Sequence, residues 1–145
     1  MLHVADRVIV DTNVFVSALT SARGASREVL RLCFQQRCRP MMGLKLFLEY
    51  EDVLGRTELF ESSPLSYAER ERLFAAFANV SEWVKIYYLW RPNLPDEGDN
   101  HLIELAVAGG AGMIITHNVR HFERSELRFP EVRVLRPGDF LRETR

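Results

Sequence analysis

The stretch RVIVDTNVFVSAL, Arg7 to Leu19, decides how the rest of the chain is read. Val8, Ile9 and Val10 form a run suited to a buried strand. Asp11 ends that run, and NVFVSAL then resumes as apolar sequence at helical spacing. An aspartate at such a junction has two readings. It ends a strand and starts a helix, or it is one member of a group of acids that holds a cation. One acid does not choose between them, so the choice passes to the rest of the chain.

Outward from Arg7–Leu19, short apolar strands alternate with helices. RVIV, CRPMMG (38–43), VKIYYL (84–89), AGMIITHN (111–118) and VRVL (132–135) read as strands, and Pro40 keeps the second near an edge or an end. ASREVLRLCFQQ (25–36) reads as a helix with Ser26 as its cap, and LKLFLEYEDVLGR (44–56) as one stopped by Gly55. Ser66 and Glu69 open SYAERERLFAAFANV with a capping-box spacing. DEGDNHLIELAVAGG (96–110) has acids at its start and glycines at its end, and PGDFL closes the chain as a turn of helix. With no repeat, long linker or low-complexity segment, this predicts one α/β domain over residues 1–145. Its architecture is a three-layer α/β/α sandwich around a mostly parallel sheet. Ligands of such folds bind at the carboxyl ends of strands. Asp11 and Thr116–Asn118 each follow a strand, so they are expected on one rim.

Composition narrows the class. A chain of 145 residues with 47% hydrophobic content can bury a proper core. Its apolar runs fall short of the ~20 residues that cross a bilayer, and its start lacks the pattern of a secretory signal. Cys33 and Cys38, in CFQQRC, suit neither a redox pair nor a zinc knuckle, and are expected as reduced thiols in a cytoplasmic protein. The net charge of −1 attracts nucleic acid only through its distribution. Of 19 basic residues only Lys45 and Lys85 are lysine, and Arg23, Arg27, Arg31, Arg37 and Arg39 crowd one segment. Arginine favours forked contacts to phosphate, although an arginine-rich surface also arises without any such partner.

Several acids point to the rim, and each has a plain alternative. Glu49 borders the apolar stripe Leu46, Tyr50, Val53 and Leu54 and is half-turned to the core, or it is a solvated helix acid. Glu51 points elsewhere, whereas Asp52 shares the side of Glu49. Asp99 precedes an apolar helix and suits an N-cap, Asp96 suits a turn after Pro95, and Glu104 reads as solvated. Three carboxylates brought together would repel one another, and a hard divalent cation, Mg²⁺ or Mn²⁺, relieves that repulsion. His117 and His121 are not expected as a zinc pair, and no phosphate-cradling glycine loop or nucleophile elbow is present.

VIVDTNVFVSAL, FLEYEDVLGR and DEGDNHLIELAVAGGAGMIITHNVRHF, in that order and spacing, resemble the PIN domain. More narrowly they resemble the bacterial, VapC-like branch of toxin components of toxin–antitoxin systems. The resemblance runs from about Val8 to Leu141. It implies an Mg²⁺- or Mn²⁺-dependent endoribonuclease, with RNA as substrate, a small antitoxin as partner and a homodimer as assembly. By position it implies Asp11, Glu49 and Asp99 as catalytic metal ligands, Asn13 as the residue that orients Asp11, and Thr116 beside the site. Asn118 stands where many members carry a fourth acid, which lowers the charge of the site. Asp96 lies close to Asp99 as a supporting acid, and Arg23, Arg27 and Arg31 are the candidates to track RNA. Two other readings stay open: a PIN-fold RNA-binding module that has lost turnover, and a phosphatase-like hydrolase. The latter wants an acid where Asn13 stands.

Overall fold

The computed structural model describes residues 6–21, 24–85, 100–123 and 129–144. Among these residues five strands and six α-helices follow in chain order: β1 (Arg7–Val10), α1 (Thr12–Thr20), α2 (Ala25–Phe34), β2 (Arg39–Met42), α3 (Leu44–Leu54), α4 (Tyr67–Val80), β3 (Glu82–Trp83), α5 (Asn100–Gly109), β4 (Met113–Ile115), β5 (Arg133–Leu135) and α6 (Pro137–Glu143). The strands form one sheet in the order β3-β2-β1-β4-β5, and every pair is parallel.

The buried run that opens β1 explains its central place. Successive strand residues face opposite sides of a sheet, so burial of Val8, Ile9 and Val10 in sequence requires helices on both faces. The result is a three-layer α/β/α sandwich. α5 lies on β1, β2 and β4, and α1 packs on α2 and α3. An aromatic cluster fills the space among α1, α3 and α4. Phe15 meets Tyr50 edge-on at 5.3 Å, and Tyr50 stacks on Phe74 at 5.1 Å.

Strand order also sets where the rim opens. From β1 the chain moves outward to β2 and β3, then returns to the other side of β1 with β4 and β5. The direction reverses between β1 and β4, which are held in register by Val8 opposite Met113 and Val10 opposite Ile115. Such a reversal opens a crevice beyond the carboxyl ends of the two strands.

Local expectations are met unevenly. The capping box forms in full, with Glu69 N–H donating to Ser66 Oγ and Ser66 N–H donating to Glu69 Oε1. Gly110 takes φ +70 just past α5, as a helix stop demands. Ser26, however, does not cap α2. Gly24 holds that position, and Ser26 lies one residue inside the helix with its hydroxyl turned to His117. β2 is an interior strand between β3 and β1, and Pro40 sits at its second residue, before β3 begins to pair at Met41. The third strand begins two residues earlier than VKIYYL. It pairs through Glu82 and Trp83, and Ile86 to Leu89 lie outside the described residues. Cys33 and Cys38 are free and buried, with sulfurs 3.6 Å apart.

Candidate active site

Asp11 sits where β1 ends and α1 begins, so both plain roles first weighed for it are real. Its backbone N–H continues the ladder by donating to Ile115 O at 3.0 Å, and its side chain caps α1 by accepting from Thr12 N–H at 2.8 Å. The second carboxylate oxygen accepts from Thr116 Oγ1 at 2.8 Å and from Asn13 Nδ2 at 3.3 Å. At 6% exposure, this carboxylate is fixed at the rim by three neutral donors.

Thr116, fully buried at the end of β4, is the hub of that arrangement. A hydroxyl offers one proton and two lone pairs. Its proton goes to Asp11, and its lone pairs accept from Asn13 Nδ2 at 3.2 Å and Asn118 N–H at 3.0 Å. Asn13 completes the loop by accepting from His117 N–H at 3.1 Å through Oδ1. The strand ends of the switch point are thus tied side chain to side chain. Asn118 meets this network through its backbone, and its side chain is exposed.

Glu49 reaches the same rim from α3. Thr12 Oγ1 donates to Glu49 Oε1 at 3.3 Å, while Thr12 N–H holds Asp11, so one residue links the two carboxylates. The other Glu49 oxygen lies 2.9 Å from His101 Nε2, in the first turn of α5. A carboxylate only accepts, so Nε2 carries the hydrogen of this contact. His101 had no signal in the sequence beyond being a histidine at the start of an apolar helix. Tyr50, next to Glu49, donates to Val10 O at 2.6 Å and so fixes α3 against the end of β1. Burial, followed by the negative charge of Asp11, pushes the Tyr50 phenol well above its ordinary range and keeps it a donor.

The other acids fall elsewhere. Glu51 is exposed, and Asp52 is paired with Arg56 on the surface at 2.6 Å rather than turned toward Glu49. Glu104 is not solvated as its mid-helix position suggests, because its Oε1 is buried. Asp96, Asp99 and Arg23 lie outside the described residues. Arg27 and Arg31 border an apolar groove of about 320 Å³ lined by Ala18, Leu19, Leu30 and Phe34, and Arg31 is paired with Glu28.

The donors at the rim are carboxylate oxygens and hydroxyls, the set that hard cations such as Mg²⁺ and Mn²⁺ prefer. No group of three or more His, Cys, Asp or Glu side chains comes together for an ion among the described residues. Loss of solvent, and then the charge of Arg136, hold the His117 imidazole below its ordinary value. His117 Nε2 shares a hydrogen bond with Ser26 Oγ at 2.8 Å.

A parallel α/β/α sandwich with a buried aspartate at its switch point, a glutamate beside it and a threonine–asparagine brace behind it defines a class of acidic-site α/β domains. Within that class the chain belongs to the PIN domain family, whose model matches residues 7–120. PIN domains are in general nucleases. Among solved structures the chain resembles VapBC2 from Rickettsia felis bound to a DNA fragment from their promoter. Identity is 14%, with 88% of this chain and 96% of that chain covered and a TM-score of 0.54. That likeness is one of fold. No curated protein sequence matches the chain.

Proposed function

We propose that this protein is a metal-dependent endoribonuclease acting in the cytoplasm, and the toxin of a toxin–antitoxin pair. The observation that carries the reading is the link Asp11–Thr12–Glu49, which holds two carboxylates at the crevice where the strand order reverses. Family membership supports nuclease chemistry, and the VapBC2 neighbour supports a small antitoxin as partner. Asp11 and Glu49 would hold Mg²⁺ or Mn²⁺, and Asp99, two residues before His101 in the sequence, is proposed as the third ligand. A bound cation of this kind polarises a phosphodiester and lowers the pKa of water.

The chain's own residues do the positioning. Thr116 and Asn13 fix the Asp11 carboxylate, which leaves it little freedom to turn away from a substrate phosphate. His101 does the same for Glu49. Arg27 and Arg31, with Arg23, are proposed to contact the RNA backbone, and a homodimer is the proposed assembly. No side-chain nucleophile is required.

The experiment is cleavage of single-stranded RNA by the wild type, Asp11→Asn and Glu49→Gln, with and without Mg²⁺ or Mn²⁺, followed by mapping of the cut ends. Either amide is expected to remove most metal-dependent cleavage while the fold remains, and Glu51→Gln is expected to do little. Cleavage by Asp11→Asn at the wild-type rate would overturn the reading. RNA binding without cleavage by the wild type would favour the binding-module alternative, for which Asn118 in place of an acid is the supporting feature.

A further inference from the structure

Beside the carboxylate rim lies a second concavity, of about 400 Å³, whose walls include Ser17, Ser26, His117, Arg136, Gly138 and Arg142. The two share a wall. His117 directly follows Thr116, and its N–H donates to Asn13, which holds Asp11. Their charges are opposite. Asp139, the acid in the cavity lining, is paired with Arg142, whereas Arg136 forms no salt bridge among the described residues. The cavity therefore carries net positive charge next to a rim that carries net negative charge.

We propose that this cavity is a phosphate subsite, which holds a backbone phosphate of the RNA adjacent to the one that is cut. The proposal rests on the ribonuclease reading above and says where the strand runs from the rim. A strand that brings one phosphate to Asp11 and Glu49 meets repulsion from both, and a cationic cavity one residue away offsets it. The Arg136 guanidinium offers a forked set of donors that matches phosphate geometry. Ser17 and Ser26 add hydroxyls, and Ser26 keeps hydrogen-bonding capacity beyond its contact with His117. An apolar or cationic ligand would leave these groups unmatched.

The test is binding of a short labelled single-stranded RNA in chelator, read by fluorescence anisotropy across a salt series. Arg136→Ala should bind more weakly, with a salt slope smaller by about 0.7, the value of one phosphate contact on a single strand. Gly138→Glu is the second variant. Its side chain meets no atom within 4 Å at Cβ, and an acid in the first turn of α6 favours the helix while placing negative charge in the cavity. It should weaken binding at least as much, with the melting temperature held. Arg56→Ala, on the surface of α3's end, should leave the slope unchanged. Unaltered slopes for Arg136→Ala and Gly138→Glu, or no RNA binding by the wild type, overturn the proposal. A parallel titration with inorganic phosphate, followed through the amide signals of Ser26, His117 and Gly138, separates the sources. Displacement of phosphate by RNA supports the subsite, and phosphate binding that RNA leaves untouched marks a free-anion site and overturns it. The cleavage assay with Asp11→Asn fails or succeeds independently of these slopes.

Discussion

Thr116 is the residue whose removal tests the site most directly, because its hydroxyl spends its proton and both lone pairs within the network. Thr116→Val keeps the shape and withdraws all three bonds, leaving the buried Asp11 carboxylate one donor short and Asn13 Nδ2 and Asn118 N–H without this acceptor. It is expected to cost about 1–3 kcal/mol in chemical denaturation, with cleavage reduced as Asp11 loosens. The acids themselves are legible in sequence as Asp11 after a strand and Glu49 beside an apolar stripe. Their braces are not equally legible. Asn13 and Thr116 stand next to readable strand ends, so the resemblance locates them. His101 contacts Glu49 across 52 residues of chain, and nothing local distinguishes it from any helix histidine. Ser26 misleads for the same reason, since a serine near a helix start suits a cap equally well, and only the placement of His117 takes its hydroxyl elsewhere.

At the scale of elements, α3 is fastened to β1 by the Tyr50–Val10 hydrogen bond and to α1 by the packing of Tyr50 on Phe15. Tyr50→Phe preserves the ring contacts with Phe15 and Phe74 and removes that bond. An unfolding midpoint lower by the equivalent of about 1 kcal/mol is expected, with cleavage falling further than this loss of stability explains, because the glutamate next door loses its anchor. A variant as active and as stable as the wild type would remove Tyr50 from the account of the site. Helices were readable where a side-chain signal is local, as at Ser66 and Glu69, whose reciprocal bonds lie within one turn. Strands were harder. β3 owes its described bounds to pairing with Met41 and Met42, just before the apolar run VKIYYL, most of which lies outside the described residues.

For the whole molecule, the parallel sheet was legible from the alternation of strands and helices, but the strand order was not, because β4 could in principle have added at either edge. That order is what brings acids from separate segments to one crevice. If they share a cation, Mn²⁺ should stabilise the fold by RT ln(1 + [L]/Kd), about 2.7 kcal/mol at a hundredfold excess over Kd. Thermal unfolding in chelator and in Mn²⁺ measures it, and Asp11→Asn should lose most of the gain. Asn118→Asp should be less stable in chelator and gain more from Mn²⁺ than the wild type. Equal gains for the wild type and Asp11→Asn would separate the acids from any shared ion. The pairing of β1 with β4 has one further effect, on timing. Thr116 is made 105 residues after Asp11, roughly 5 to 20 seconds later at ordinary rates of translation. Throughout that interval the central strand has an open side, and the aspartate lacks the hydroxyl that steadies it. For the proposed ribonuclease this orders assembly of the site: the Asp11–Thr12–Glu49 link lies within the first part of the chain to be made, whereas the hydroxyl that braces the aspartate is added only with the later part.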